Sequence, residues 1–314
     1  MTMVSHRQEI LGAAPDNGPD EALGLWSRYD MSDAEMREAT TRYVGTLTEA
    51  EGKYVGFMVD SPVSPMFDVA CSIERKIFEQ HFEGNDETYM RENYGPYTQN
   101  SQFLMVAERQ DDGEARPVAF MRIIRPEEGA ESVKSIDDAS ENIGVSAQDI
   151  RAFHGMDDMH DVWDVATLGM ERDLQDTLDG AKARTILNRM FIRLATAERI
   201  GHMVAIIDEG ALKGLLAVGI PVKPMAADTD KFDKSTAFKF DGSGESYAVY
   251  GHIPDFYRAV EKRSKDLAGS KRFMGDLLRG GVMKAIKRRI YGKIAGNLVT
   301  GHTLDESIVL PGID

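Results

Sequence analysis

The stretch VWDVATLGM at 162–170, with LNRMFIRLATAERIGHMVAII at 187–207 behind it, decides the fold. The first segment is an apolar strand carrying one carboxylate, Asp164. In the second, Leu187, Met190, Phe191 and Leu194 fall at i, i+3, i+4 and i+7, the stripe of a helix spanning about 182–199. Gly201 stops that helix, and Met203-Val-Ala-Ile-Ile207 is a wholly apolar strand of the kind buried on both faces. A strand–helix–strand unit of this length predicts a parallel crossover.

Upstream, Tyr54–Val59 reads as a strand stopped by Ser61-Pro62 and Pro65. A helix follows from about Asp68 to Phe82. Phe103–Ala107 and Val118–Ile124 flank the turn signal Asp111-Asp-Gly113 and predict a hairpin, which makes the sheet mixed. Residues 84–101 read as a loop. Residues 127–161 read as an acidic linker with one short helix around Ser146–Phe153. Downstream, Glu209–Val218 reads as a short helix, Ile220–Val222 as an extended piece and Glu245–Tyr250 as a strand. Near the N-terminus, Ser32 with Glu35 three residues on predicts a capped helix, whereas residues 1–18 read as disordered. The fold class is therefore α/β, a mixed central sheet flanked by helices. The expected division is an N-terminal extension (1–50), a central domain (51–255) and a basic helical C-terminal extension (256–314).

Composition excludes several classes. The 314 residues carry a net charge of −15, which argues against nucleic-acid binding. One cysteine, Cys71, rules out an internal disulfide and fits a reducing, cytoplasmic setting. No apolar run is long enough for a membrane span, and the first residues lack a secretory h-region. From Arg258 to Lys293, twelve Lys/Arg face three Asp/Glu, so this stretch holds +9 and the rest of the chain −24. That contrast reads either as a solvated helical face or as a docking surface for an acidic partner or membrane headgroups. The seventeen methionines read as core filler or as the lining of a plastic alkyl tunnel.

Arg122, in the strand VAFMRII, and Asp164 are charges inside apolar strands. Burying either without a partner is costly, so they form a structural ion pair or face a cleft. In a cleft, Asp164 takes a proton from an incoming amine and Arg122 orients the substrate or braces Asp164. Gly180, Lys182 and Arg184 sit where a helix start can receive a phosphate. His154 and His160, with Asp157, Asp158 and Asp161, match no zinc spacing. Signatures of a hydrolase elbow, an NTPase or a dinucleotide enzyme are absent.

The segments SIERKIFEQHF, MRIIRP, VWDVATLGM and LNRMFIRLATAERIGHMVAIIDEGALKGLLAVGIPV together resemble the acyl-homoserine-lactone synthases and the long-chain N-acyl amino acid synthases. These are branches of the GCN5-related N-acetyltransferase (GNAT) superfamily. The resemblance covers about Tyr54 to Met225, just over half the chain. It implies a GNAT-like acyltransferase domain that moves an acyl group from a phosphopantetheine thioester to an amino acid or small amine. The donor is acyl-CoA or an acyl-carrier protein (ACP), and no cofactor is held permanently. The missing pyrophosphate loop of acetyl-CoA enzymes favours the carrier protein, with the basic 258–293 stretch as its dock. Arg122 and Asp164 match the arginine and acidic positions. The backbone around Leu168 and Gly169 would hold the thioester, and Arg75, Phe78 and Thr167 the substrate. Glu74 and Thr167 occupy slots where the family carries arginine. That departure favours an alternative, a non-catalytic module binding an acyl or pantetheine ligand or a partner protein.

Overall fold

The computed structural model describes residues 28–47, 52–81, 85–175, 177–232, 236–239, 245–256, 258–259 and 262, with the backbone of 306–309. Alternating and wholly apolar segments form a nine-stranded mixed sheet. Its strands are β1 (Tyr54–Val59), β2 (Ser101–Arg109), β3 (Ala115–Ile124), β4 (Val162–Met170), β5 (His202–Asp208), β6 (Val222–Pro224), β7 (Ala237–Lys239), β8 (Glu245–His252) and β9 (Glu306–Val309). The spatial order is β6-β8-β5-β4-β3-β2-β1-β9, with β7 also on β8. Among the described strands, β4/β5 and β1/β9 pair in parallel and the other pairs are antiparallel.

Helices flank the sheet, among them α1 (Asp33–Thr46), α2 (Pro65–His81), α3 (Glu87–Tyr94), α4 (Lys134–Ile143), α5 (Ala147–His154), α6 (Leu178–Glu198) and α7 (Glu209–Val218). The apolar stripe of α6 packs with Leu212 of α7 against Trp163, Val165, Met121 and Ile123 on one face. On the other, α1, α2 and α3 cover Phe57, Phe103, Met105 and Phe120, and α4 and α5 cover Val162, Val204 and Ala248. The expected capping box is present: Ser32 Oγ accepts from Glu35 N–H while Glu35 accepts from Ser32 N–H. Tyr29 and Met31 are buried in the α2 side of the core, so residues 28–46 are integral to the packing.

Two regions differ from the sequence reading. The stretch 84–101 contains α3 and a 3-10 turn (Gly95–Asn100) rather than loop alone. Asp86 caps α3, and Met90 and Tyr94, one turn apart, bury themselves in the core. The acidic linker holds α4 as well as α5. Val133, Ile136 and Ala139 recur every third residue and are buried, an amphipathic pattern outnumbered by the acids around it. Residues 1–18, most of 258–293, and Phe82 lie outside the described residues. Among the described residues, no helix is long and apolar enough to cross a membrane.

Candidate active site

Strand β4 positions the site through two irregularities. The first is a bulge: Arg122 pairs with Thr167 and Ile123 with Val165, so Ala166 is the extra residue. Side chains alternate along a strand, and one extra residue inverts the alternation. Asp164 and Thr167 therefore share the α2/α4 face, although three positions apart. The second is a fork. β4 and β5 pair only at Val162/His202, Trp163/Met203 and Asp164/Val204. Beyond Asp164, β4 continues to Met170 on β3 alone, and β5 continues to Asp208 on β8 alone. The β5-facing backbone of Val165–Met170 thus has no neighbouring strand among the described residues.

Asp164 is the last paired residue, at the crotch of the fork, and it is fully buried. Ser135 in the first turn of α4 donates to both of its oxygens: N–H to Oδ2 at 2.7 Å and Oγ–H to Oδ1 at 2.6 Å. The N-cap position of α4, Val133, has no side-chain acceptor, so Asp164 reaches across from the sheet to satisfy the helix end. Burial pushes the carboxyl up to about 7, against the pull of Ser135's two donors.

Arg122 does not brace Asp164. It is also fully buried, and its Nη2 lies 3.0 Å from Glu74 Oε2, 3.1 Å from the Tyr29 hydroxyl and 3.3 Å from Cys71 Sγ. The guanidinium sits over Phe103 and Tyr94, at 4.6 and 5.0 Å from the ring centroids. Glu74 accepts a short hydrogen bond from Thr167 Oγ1. The two positions that depart from the family's arginines thus meet in one buried cluster. Burial pushes the Glu74 carboxyl up while Arg122 pulls it back, and Glu74 keeps the buried guanidinium charged. Burial also pushes the Cys71 thiol up to about 12, which makes it an inert core group.

The expected phosphate cradle is not formed as read. Gly180 N–H is taken by Thr177 Oγ1, and Gly180 lies so close to Leu174 that an added Cβ would fall 2.0 Å from its carbonyl oxygen. Gly180 is thus a packing glycine. Lys182 pairs with Asp179, and Arg184 is exposed. Leu168 is exposed beside the fork, while the half-buried Gly169 abuts the Phe120 ring. On α2, Arg75 pairs with Glu79 one turn on, and Phe78 packs at the edge of the core. The structure thus brings Arg122 and Thr167 together and separates both from Asp164's partners. Ser135 is the functional candidate that sequence reasoning missed. Among the described residues, no group of three or more His, Cys, Asp or Glu is placed to hold a metal.

No family model matches the chain, and no curated protein matches it. Solved structures do show a likeness, at low identity. The N-acyl amino acid synthase FeeM from uncultured soil microbes is 15% identical over 66% of this chain and 96% of its own, with a TM-score of 0.45. The CoA-dependent acyl-homoserine lactone synthase BjaI, solved with SAM and isopentyl-CoA, is 12% identical over 68% of this chain and 87% of its own, TM-score 0.41. Tetrahymena GCN5 is 10% identical over 57% and 84%, TM-score 0.31.

Proposed function

We propose that this chain is an N-acyltransferase, moving an acyl group from a pantetheine thioester to a small amine at the β4/β5 fork. The observation that supports this best is the fork itself. Two parallel strands that part after three pairs leave a row of backbone groups along Val165–Met170 without a strand partner. A thioester lying along that edge meets backbone N–H donors already oriented by the β3 ladder, which hold its carbonyl and the developing oxyanion. Asp164, at the crotch, is a carboxylate poised near neutrality to receive the amine's proton. Arg122 acts at one remove, by holding Glu74 and Thr167 beneath the bulged part of β4.

The donor is an acyl-carrier protein or acyl-CoA in the cytoplasm, with the basic 258–293 stretch as the carrier's dock. Mass spectrometry of reactions containing acyl-ACP or acyl-CoA with a panel of amines tests the reading. An amide product and stoichiometric free thiol support it, and an intact thioester with every amine refutes it. A second reading, a module that binds an acyl-pantetheine ligand without turnover, is favoured by one observation. Both oxygens of Asp164 are already occupied by Ser135, and the carboxylate has no exposed surface. Donor binding without amide formation would select that reading.

A further inference from the structure

A groove of about 220 Å3 runs between the end of β3 and the start of α4, lined by Tyr97, Asn100, Ile124, Glu127, Ser132 and Val133 among others. It is smaller than the roughly 300–1,000 Å3 of drug-sized pockets and suits a small molecule. Two observations connect it with Asp164. Ile124 in its wall is the ladder partner of Asp164, and Val133 in its wall is the N-cap of α4, two residues before Ser135. Its lining holds one carboxylate, Glu127, and burial followed by the charges of Asp137, Asp138, Asp164 and Glu127 pushes the Tyr97 phenol up, Asp138 being paired with Lys134 at 2.6 Å. Glu127 is held at the rim by Asn100, whose Nδ2 donates at 2.9 Å. The one cation in the lining, Arg125, is drawn away to Gln102 and Glu198 at 2.7 and 2.6 Å. A larger open depression of about 640 Å3 against α1 has no such link. Its Arg37 and Arg42 pair with Glu114 and Glu38, and none of its lining residues lies on β4 or β5.

We infer that this groove admits a small primary ammonium and that Ser135 relays the amine's proton to Asp164. The inference rests on the acyltransferase reading and adds the route of the acceptor. The ammonium first loses one proton to solvent. As the neutral nitrogen attacks the thioester carbonyl, the C–N bond forms and the C–S bond breaks. The surplus N–H proton passes to Ser135 Oγ while Ser135's own proton passes to Asp164 Oδ1, already 2.6 Å away. Asp164 returns a proton through Ser135 to the departing thiolate, and both residues end unchanged. With Asp164 fully buried and both of its oxygens on Ser135, this hydroxyl is the contact through which the carboxylate takes a proton.

The test has one arm that needs no turnover. Amide NMR of the full chain is followed while n-propylammonium is added, with n-propanol as its uncharged counterpart. The expected result is saturable shifts at Tyr97, Asn100 and Ser132 with the ammonium only, lost in Ala130→Trp, which fills the groove. No saturable shift there, or equal shifts with propanol, overturns the groove assignment whether or not the chain transfers acyl groups. The second arm is kinetic. Ser135→Ala lowers kcat by about 10²-fold with the acceptor KM held, Ser135→Thr recovers most of it, and circular dichroism is unchanged. A Ser135→Ala enzyme with wild-type kcat and pH profile overturns the relay. Absence of thioester consumption by the wild type refutes the acyltransferase reading instead, and with it the relay, while the titration still decides the groove.

Discussion

Replacing Asp164 with Asn removes a charge from the core and keeps its bonds. The Asn Oδ1 accepts from Ser135 N–H, and its Nδ2 donates to Ser135 Oγ, in place of the 2.7 and 2.6 Å contacts of the carboxylate. The energetic difference then lies in ionisation. The folded carboxyl holds its proton up to about pH 7, against an unperturbed 3.8. The folded state therefore binds more protons than the unfolded chain between those values, and stability falls as pH rises through that window. At about 1.4 kcal/mol per pKa unit, the wild type loses about 3 kcal/mol between pH 5 and pH 8 that Asp164→Asn does not lose. Urea denaturation of both proteins at the two pH values measures this, with the variant gaining on the wild type as pH rises. Under the acyltransferase reading, the same variant is inactive at both pH values. A difference between the two proteins that does not change with pH would refute a buried carboxyl titrating near neutrality. An active, pH-independent variant would leave Asp164 as the N-cap of α4 and nothing more.

Glu74→Gln leaves the buried Arg122 guanidinium without its anion and should cost about 3–5 kcal/mol in chemical denaturation. Glu74→Gln combined with Arg122→Met should recover much of that loss. Gly180→Ala should destabilise by more than about 2 kcal/mol, because the Leu174 carbonyl occupies the position of the new methyl, despite alanine's better helix propensity of about 1 kcal/mol. Reversing Lys284, Lys287, Arg288 and Arg289 to Glu should raise the KM for an acidic carrier-protein donor and flatten its salt dependence while kcat holds. An unchanged KM at low salt would leave these cations as solvated surface.

The order of elements around the fork was legible because each of its segments carries an unambiguous period. The stripe of Leu187, Met190, Phe191 and Leu194 and the apolar run 203–207 give α6 and β5 within a few residues. The capping box at Ser32 and Glu35 was equally plain. The site was legible only in its parts. Arg122 and Asp164 stand out as charges in apolar strands, but alternation alone does not pair them correctly. The Ala166 bulge shifts the register of β4, putting Thr167 opposite Arg122 while Asp164 falls opposite Ile124. No residue preference announces that bulge. Arg122's partner, Glu74, lies 48 positions earlier on a helix whose facing depends on tertiary packing. Ser135 was hidden for another reason. Its helix has only three spaced apolar contacts in an acidic stretch, and its role comes from a carboxylate 29 residues away.

The account's central claim is that the fork between β4 and β5 carries acyl transfer to an amine. The most direct measurement is mass-spectrometric detection of the amide formed from an acyl-pantetheine thioester and a small primary amine, in parallel reactions of the wild type and Asp164→Asn. The account predicts amide from the wild type, with one free thiol released per amide, and none from the variant while the variant still binds the donor. A donor that the wild type neither binds nor consumes, or amide formed equally by both proteins, would contradict it.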